Sequence, residues 1–195
     1  MLFRSPEQVV ATFDPPVQVW DWSRDAKALV VGRTAADTRD DLWIVPLADG
    51  GGARVYAAAP FNQVQAVFAP DGRSIAYASD ESGQFDIYVD TYPAPGSRRR
   101  VTTAGGTEPR WRGDGREIFF RRGSEVHAVA IAAKAVGASE RLFDAGATIR
   151  SYDVTADGKR FLLNLPASSA APRAATLVIN WQSNTSHGNT EAQKH

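Results

Sequence analysis

Three carboxylates and a guanidinium are the groups of this chain best placed by spacing to act together. Asp21 and Asp153 each stand one residue ahead of a bulky apolar residue, Trp22 and Val154, and Glu108 stands three ahead of a third, Trp111, with Arg110 between. Carboxylate oxygens gathered at one point suit a hard cation such as calcium, and such a cation would polarise a carbonyl for attack by water. Asp21, Glu108 and Asp153 are therefore the candidate metal ligands. Glu108, Asp153 and Arg110 are the candidate catalytic groups, with Arg110 holding the substrate oxygen. The corresponding places elsewhere in the chain hold Val19, Gln65, Val67 and Ser151. A ligand set of Gln65, Glu108, Arg110, Ser151 and Asp153 follows, provided the elements carrying them meet at a common axis.

A repeat supplies that arrangement. Trp22-Ser-Arg-Asp-Ala-Lys-Ala-Leu29, Phe68-Ala-Pro-Asp-Gly-Arg-Ser-Ile75, Trp111-Arg-Gly-Asp-Gly-Arg-Glu-Ile118 and Val154-Thr-Ala-Asp-Gly-Lys-Arg-Phe161 share one pattern. Their aspartates, Asp25, Asp71, Asp114 and Asp157, are 46, 43 and 43 residues apart, a period typical of propeller blades and other repeat architectures. Asp-Gly between apolar runs is a hairpin signal, because Gly accepts positive φ and Asp bonds its own backbone. Strand-like runs follow each turn, as in Ile75-Ala-Tyr-Ala78 and then Phe85-Asp-Ile-Tyr-Val89, and a helical period is nowhere sustained. Four strands per repeat predict an all-β fold: a β-propeller of four-stranded antiparallel blades, about four of them. The blades are expected near 17–56, 63–103, 107–144 and 150–181, with the outer strand of a preceding blade at 7–13 and a disordered polar tail at 182–195. Trp22, Phe68, Trp111 and Val154 are expected to be buried between sheets.

The segments Phe68-Ala-Pro-Asp-Gly-Arg73 and Asp86-Ile-Tyr-Val89 resemble the Pro-Asp-Gly, WD-like propeller repeats of the TolB family. The stretch from Phe85 through Trp111 to Trp181 also resembles the carboxy-terminal part of propellers attached to bacterial kinase-like receptors. The resemblance covers about residues 7 to 181 and implies a partial or small ring, since propellers of this type usually have six to eight blades. It implies a fragment of a larger propeller, or a ring that closes by self-association through open blade edges. In three places the repeat departs from the pattern: Ala26 replaces the turn Gly, Gly113 the Pro, and Val154 an aromatic residue.

Composition narrows the function classes. Lys plus Arg and Asp plus Glu number 22 each, so the basic excess that nucleic-acid and membrane-surface binders rely on is missing. The absence of Cys removes thiolate nucleophiles and zinc-thiolate sites. No signal peptide or spanning segment is read, which predicts a cytoplasmic chain, or a periplasmic one if it belongs to an exported parent. Gly-x-Ser-x-Gly is missing, and the histidines are His127, read as a partly exposed strand residue, and His187 and His195 in the tail. The acidic runs Asp37–Asp41 and Asp80–Gly83 lack the spacing of a calcium loop and read as solvated. Residues 98 to 122 carry eight Arg against Glu108, Asp114 and Glu117, a basic segment that reads first as a solvated face and otherwise as one that steers a partner or drives head-to-tail self-association.

Two functions are compatible with these residues. One is a non-catalytic interaction module that binds a protein, peptide or small ligand at the channel mouth or the Arg-rich face. The other is a calcium-dependent lactone or ester hydrolase built on the channel carboxylates.

Overall fold

The computed structural model describes residues 9, 11–47, 51–132 and 135–166, and the backbone of 176–179. The described residues form four antiparallel sheets and no helix. The first sheet runs β1 (Gln18–Trp22), β2 (Ala28–Ala35), β3 (Arg39–Pro46) and β4 (Arg54–Ala57). The second is β5 (Gln63–Phe68), β6 (Ser74–Ser79), β7 (Asp86–Thr91) and β8 (Arg99–Arg100), and the third is β9 (Thr107–Trp111), β10 (Glu117–Arg122), β11 (Glu125–Ile131) and β12 (Val136–Asp144). The fourth has three strands among the described residues, β13 (Ser151–Val154), β14 (Arg160–Asn164) and β15 (Thr176–Ile179). Each sheet is a simple meander, as expected for propeller blades. Of the stretch 7–13, the described residues Val9 and Ala11–Phe13 are in no strand; its remaining residues, and the tail 182–195, lie outside the described residues.

The first hairpin of every sheet turns on the repeated aspartate. Asp71, Asp114 and Asp157 each accept a hydrogen bond at Oδ1 from the backbone N–H two residues on, at 2.9, 3.0 and 3.0 Å, and Asp25 does the same at 3.2 Å. The next residue takes positive φ in all four: Ala26 57°, Gly72 67°, Gly115 73° and Gly158 73°. The four aspartates thus have a backbone task and are spread over four separate blades.

Alternation along the strands builds a core at each sheet-to-sheet junction. Val30, Leu42, Ile44 and Tyr56 of the first sheet meet Phe68, Ile75 and Tyr77 of the second. Ala76, Ile87 and Val89 of the second meet Ile118, Phe120 and Val129 of the third. Phe119 and Val126 of the third meet Tyr152, Phe161 and Leu163 of the fourth. In each case the bulky residue before the turn, Phe68, Trp111 or Val154, packs at the junction with the preceding sheet. Trp22 breaks that rule and corrects the sequence expectation: it is 59% exposed. No preceding sheet stands against β1 among the described residues, so its anchor has nothing to pack beneath. Leu162, which faces the opposite way on the fourth sheet, is 48% exposed for the matching reason. No helix in the described residues is long and apolar enough to cross a membrane.

Candidate functional site

The innermost strands β1, β5, β9 and β13 bound one cavity of about 930 Å³, to which all four sheets contribute. From the sequence-predicted set, Asp21, Val67, Arg110, Ser151 and Asp153 line it. So do three of the five tryptophans, Trp20, Trp22 and Trp111, together with Tyr152. Arg110 is the central cation. Its Nε lies 3.9 Å from Asp153 Oδ1 and its guanidinium carbon 5.7 Å from the centre of the Tyr152 ring. Its Nη1 donates to Pro109 O at 2.9 Å, which orients the group.

Gln65 and Glu108 do not reach this cavity, although alternation from the anchors placed them in the channel. Both take left-handed backbone, φ 57° and 53°, where non-glycine residues pay a steric cost. The register of the inner hairpins slips at these places, between Val64 and Val67 on β5 and between Arg110 and Thr107 on β9. A bulge of this kind re-aims the side chain it carries. Gln65 Oε1 consequently accepts the Glu108 N–H at 2.9 Å, joining the second sheet to the third, and Tyr152 Oη donates to Glu108 O at 2.9 Å, joining the third to the fourth. The Glu108 carboxylate turns to Arg121 on β10, Oε1 to Nη2 2.8 Å. Asp21 is also committed, since its Oδ2 accepts the Phe68 N–H at 2.8 Å and ties the first sheet to the second. Burial raises the Asp21 pKa, against the pull of hydrogen bonds from the Phe68 and Trp22 backbone and the charge of Arg110.

The three candidate calcium ligands are therefore held apart: Asp21 on a backbone amide, Glu108 on Arg121, and Asp153 across from Arg110. Among the described residues, no three His, Asp or Glu side chains are gathered to hold a metal ion. Geometry of this kind offers no cation cradle on these residues, and the catalytic set of Glu108, Asp153 and Arg110 is divided between the cavity and β10.

Other candidates also take definite places. His127 is buried at 5% exposure, stacked on Phe120 at 5.3 Å between ring centres, with Nε2 2.9 Å from Glu125 Oε2. It is an interior residue of the third sheet, where alternation alone suggested partial exposure. In the acidic run Asp37–Asp41, Asp41 is buried on β3 and accepts the Thr38 hydroxyl, while Asp80 accepts the Asn62 N–H at 2.8 Å. The Arg-rich segment is largely neutralised within the fold. Arg98 pairs with Glu81, Arg100 with Asp86, Arg112 with Asp114 and Glu117, and Arg121 with Glu108. Arg99 and Arg122 donate to the carbonyls of Ala132 and Gly105. What reads in sequence as a basic face is a set of inter-strand and inter-sheet ties. Missing from the sequence prediction were Trp20, Trp22, Tyr152 and Asn164 as lining groups.

No protein-family model matches the chain, and no curated protein matches it. Among solved structures it is similar to TolB from Acinetobacter baumannii, with a TM-score of 0.70 and 22% identity over 88% of this chain and 43% of that one. It is similar to the β-propeller domain of Myceliophteria thermophila Cps50 (Swd1), TM-score 0.56 and 14% identity over 83% and 56%. The β-propeller domain of the trilobed protease from Pyrococcus furiosus, described as having an open velcro topology, gives 0.52 and 14% over 83% and 53%. The fold is thus a TolB-like all-β propeller of about four blades, and the chain spans roughly half the length of these structures.

Proposed function

We propose that this chain is a non-catalytic propeller module that binds a small polar ligand or short peptide in the axial cavity. The observation that carries the reading is the cavity itself, bounded by all four sheets and lined by Arg110, Asp153 and three tryptophans. Concave sites with apolar walls and a few convergent polar groups are the usual form of ligand pockets, and this volume falls within their range. Propellers host many unrelated activities, so the assignment rests on the site and not on the fold. The Arg-rich segment is less suited to docking because five of its eight arginines, Arg98, Arg100, Arg110, Arg112 and Arg121, are paired with carboxylates of the fold. A calcium-dependent hydrolase would need Asp21, Glu108 and Asp153 brought together, which their present partners oppose.

Thermal-shift screening with small polar molecules and short peptides tests the module. Ligands of the cavity raise the melting temperature of the wild-type chain, because binding to the folded state alone adds RT ln(1 + [L]/Kd) to stability. They leave an Arg110→Gln, Asp153→Asn double variant unshifted. Equal shifts in both proteins, or none in either, refute the reading.

A further inference from the structure

We propose that the axial cavity takes a neutral saccharide, with the exposed face of Trp22 as its stacking platform; this rests on the binding reading above and names its ligand class. Three features of the cavity argue for that chemistry.

The first is the aromatic lining. Trp22 lines the cavity and is 59% exposed, and the partly buried Trp20 and Trp111 also line it, while Tyr152 is buried at 3% with Arg110 over its ring. Flat, rigid aromatic area contributes large contact at little conformational cost and accepts C–H groups on its negative face. Pyranose rings offer such C–H groups on one side.

The second is the charge balance. Arg24 and Arg110 face Asp21 and Asp153 in the same cavity, so the formal charges cancel and neither an anion nor a cation is favoured by net field. The same groups are planar and can engage two partners at once, guanidinium as donor and carboxylate as acceptor. Neighbouring hydroxyls of a sugar, each both donor and acceptor, match them. Ser151 and Asn164 supply further groups of mixed donor and acceptor character.

The third concerns the competing ligand, an extended peptide. Peptides add to a sheet by continuing its hydrogen-bond ladder along a free edge strand. The inner strands are free edges, but β1, β5 and β9 each carry a register shift, between Val19 and Asp21, Val64 and Val67, and Arg110 and Thr107. Interrupted edges of this kind terminate strand pairing. A compact ligand held by side chains suits the cavity better than a strand held by backbone.

The test is calorimetry and tryptophan fluorescence with cellohexaose, maltohexaose and chitohexaose, alongside the peptides and polar molecules of the thermal screen. At least one hexasaccharide should bind, with affinity lowered tenfold or more in Trp22→Ala and largely kept in Trp22→Phe, which retains a ring. Since Trp22 is exposed, both variants are expected to fold, and circular dichroism checks this. Failure of all three sugars at millimolar concentration, or binding unaffected by Trp22→Ala, overturns the saccharide assignment. If another probe then binds in an Arg110- and Asp153-dependent way, the binding module stands and only its ligand class falls. If nothing binds, both fall together.

Discussion

Single residues in this fold show how strictly the backbone of a repeat is conserved from blade to blade even where the side chain is not. The turn position after the aspartate holds Gly at 72, 115 and 158 but Ala at 26, and Ala26 nevertheless takes φ 57°. An L-residue there costs roughly 1–2 kcal/mol through the clash of its Cβ with the backbone, partly offset in Gly by greater freedom of the unfolded chain, worth about 0.4–1 kcal/mol. Ala26 is exposed, so its methyl group gives little packing in return. Ala26→Gly should accordingly stabilise the chain by about 0.5–1 kcal/mol, a rise in Tm of roughly 2 °C for a chain of this length. Urea denaturation of the two proteins in parallel measures it, and a destabilised Gly variant would contradict the argument. The departure at 113 has a different cause. Gly113 N–H donates to Ala156 O at 2.8 Å in the next blade's turn, and a Cβ on residue 113 would meet that oxygen at 2.8 Å. Pro, the residue the pattern leads one to expect there, has neither the donor nor the room.

At the scale of the element, the Asp-Gly turns were readable from sequence because their chemistry is local: one side chain, one backbone amide two residues on, one positive φ. The bulges at Gln65 and Glu108 were not, since neither residue type favours left-handed backbone and the compensating bonds come from other sheets, 43 and 44 residues away. That is why Gln65 and Glu108, two of the five predicted ligand residues, missed the cavity while Arg110, Ser151 and Asp153 reached it. Asp86 gives a further case, legible only as the start of a strand. It is fully buried at the head of β7, accepting hydrogen bonds from Ser82 Oγ at 2.7 Å, Thr102 Oγ1 at 2.8 Å and Gly105 N–H at 3.0 Å, and pairing with Arg100 at 2.6 Å. Burial pushes its pKa up, but the bonds from Ser82, Thr102, Arg100 and Gly105 outweigh burial and hold it below the ordinary 3.8. A carboxylate depressed in the folded state contributes stability that is present above its unfolded pKa and is lost as pH falls through the folded one. Asp86→Asn removes the charge that Ser82, Thr102 and Gly105 donate to and its pairing with the partly exposed Arg100, so it should cost about 1.5–3 kcal/mol at pH 7. The gap from wild type should then narrow as pH is lowered below 3.8, where the wild-type carboxylate itself becomes protonated. Stability curves of the two proteins from pH 7 down to the acid limit decide this; a gap that widens on acidification would show that the charged form is not what holds β7 in place.

Among the described residues three sheet-to-sheet junctions are packed, while the outer faces of the first and fourth sheets meet no further sheet. On the first sheet, Val19, Val31, Trp43 and Val55 lie opposite one another in a row across all four strands. Such a row is what a propeller sheet presents to a neighbour, and here its outer members, Val19 at 52% and Val55 at 49%, are exposed. On the fourth sheet Leu162 is exposed at 48%, while the residues at the same step after the turn in the other sheets, Val30, Ala76 and Phe119, are at 0%, 0% and 3%. Each junction inside the chain joins the following face of one sheet to the preceding face of the next. Among the described residues the preceding face of the first sheet and the following face of the fourth meet no further sheet, and they are complementary in kind, a head and a tail. A contact between unlike faces is heterologous and allows copies to add in sequence. The chain is therefore expected to associate as concentration rises, with light scattering showing a mass above the 21.1 kDa of one copy. Val55→Lys and Leu162→Lys, each placing a charge on an exposed end-face position, should shift the mass back toward a single copy. Because every contact uses one head and one tail, mixing the two variants should restore pairing between the intact head of one and the intact tail of the other, but no further growth. A wild-type chain that keeps the mass of one copy at every concentration, or a mixture that never pairs, would mean that the end faces do not recognise each other.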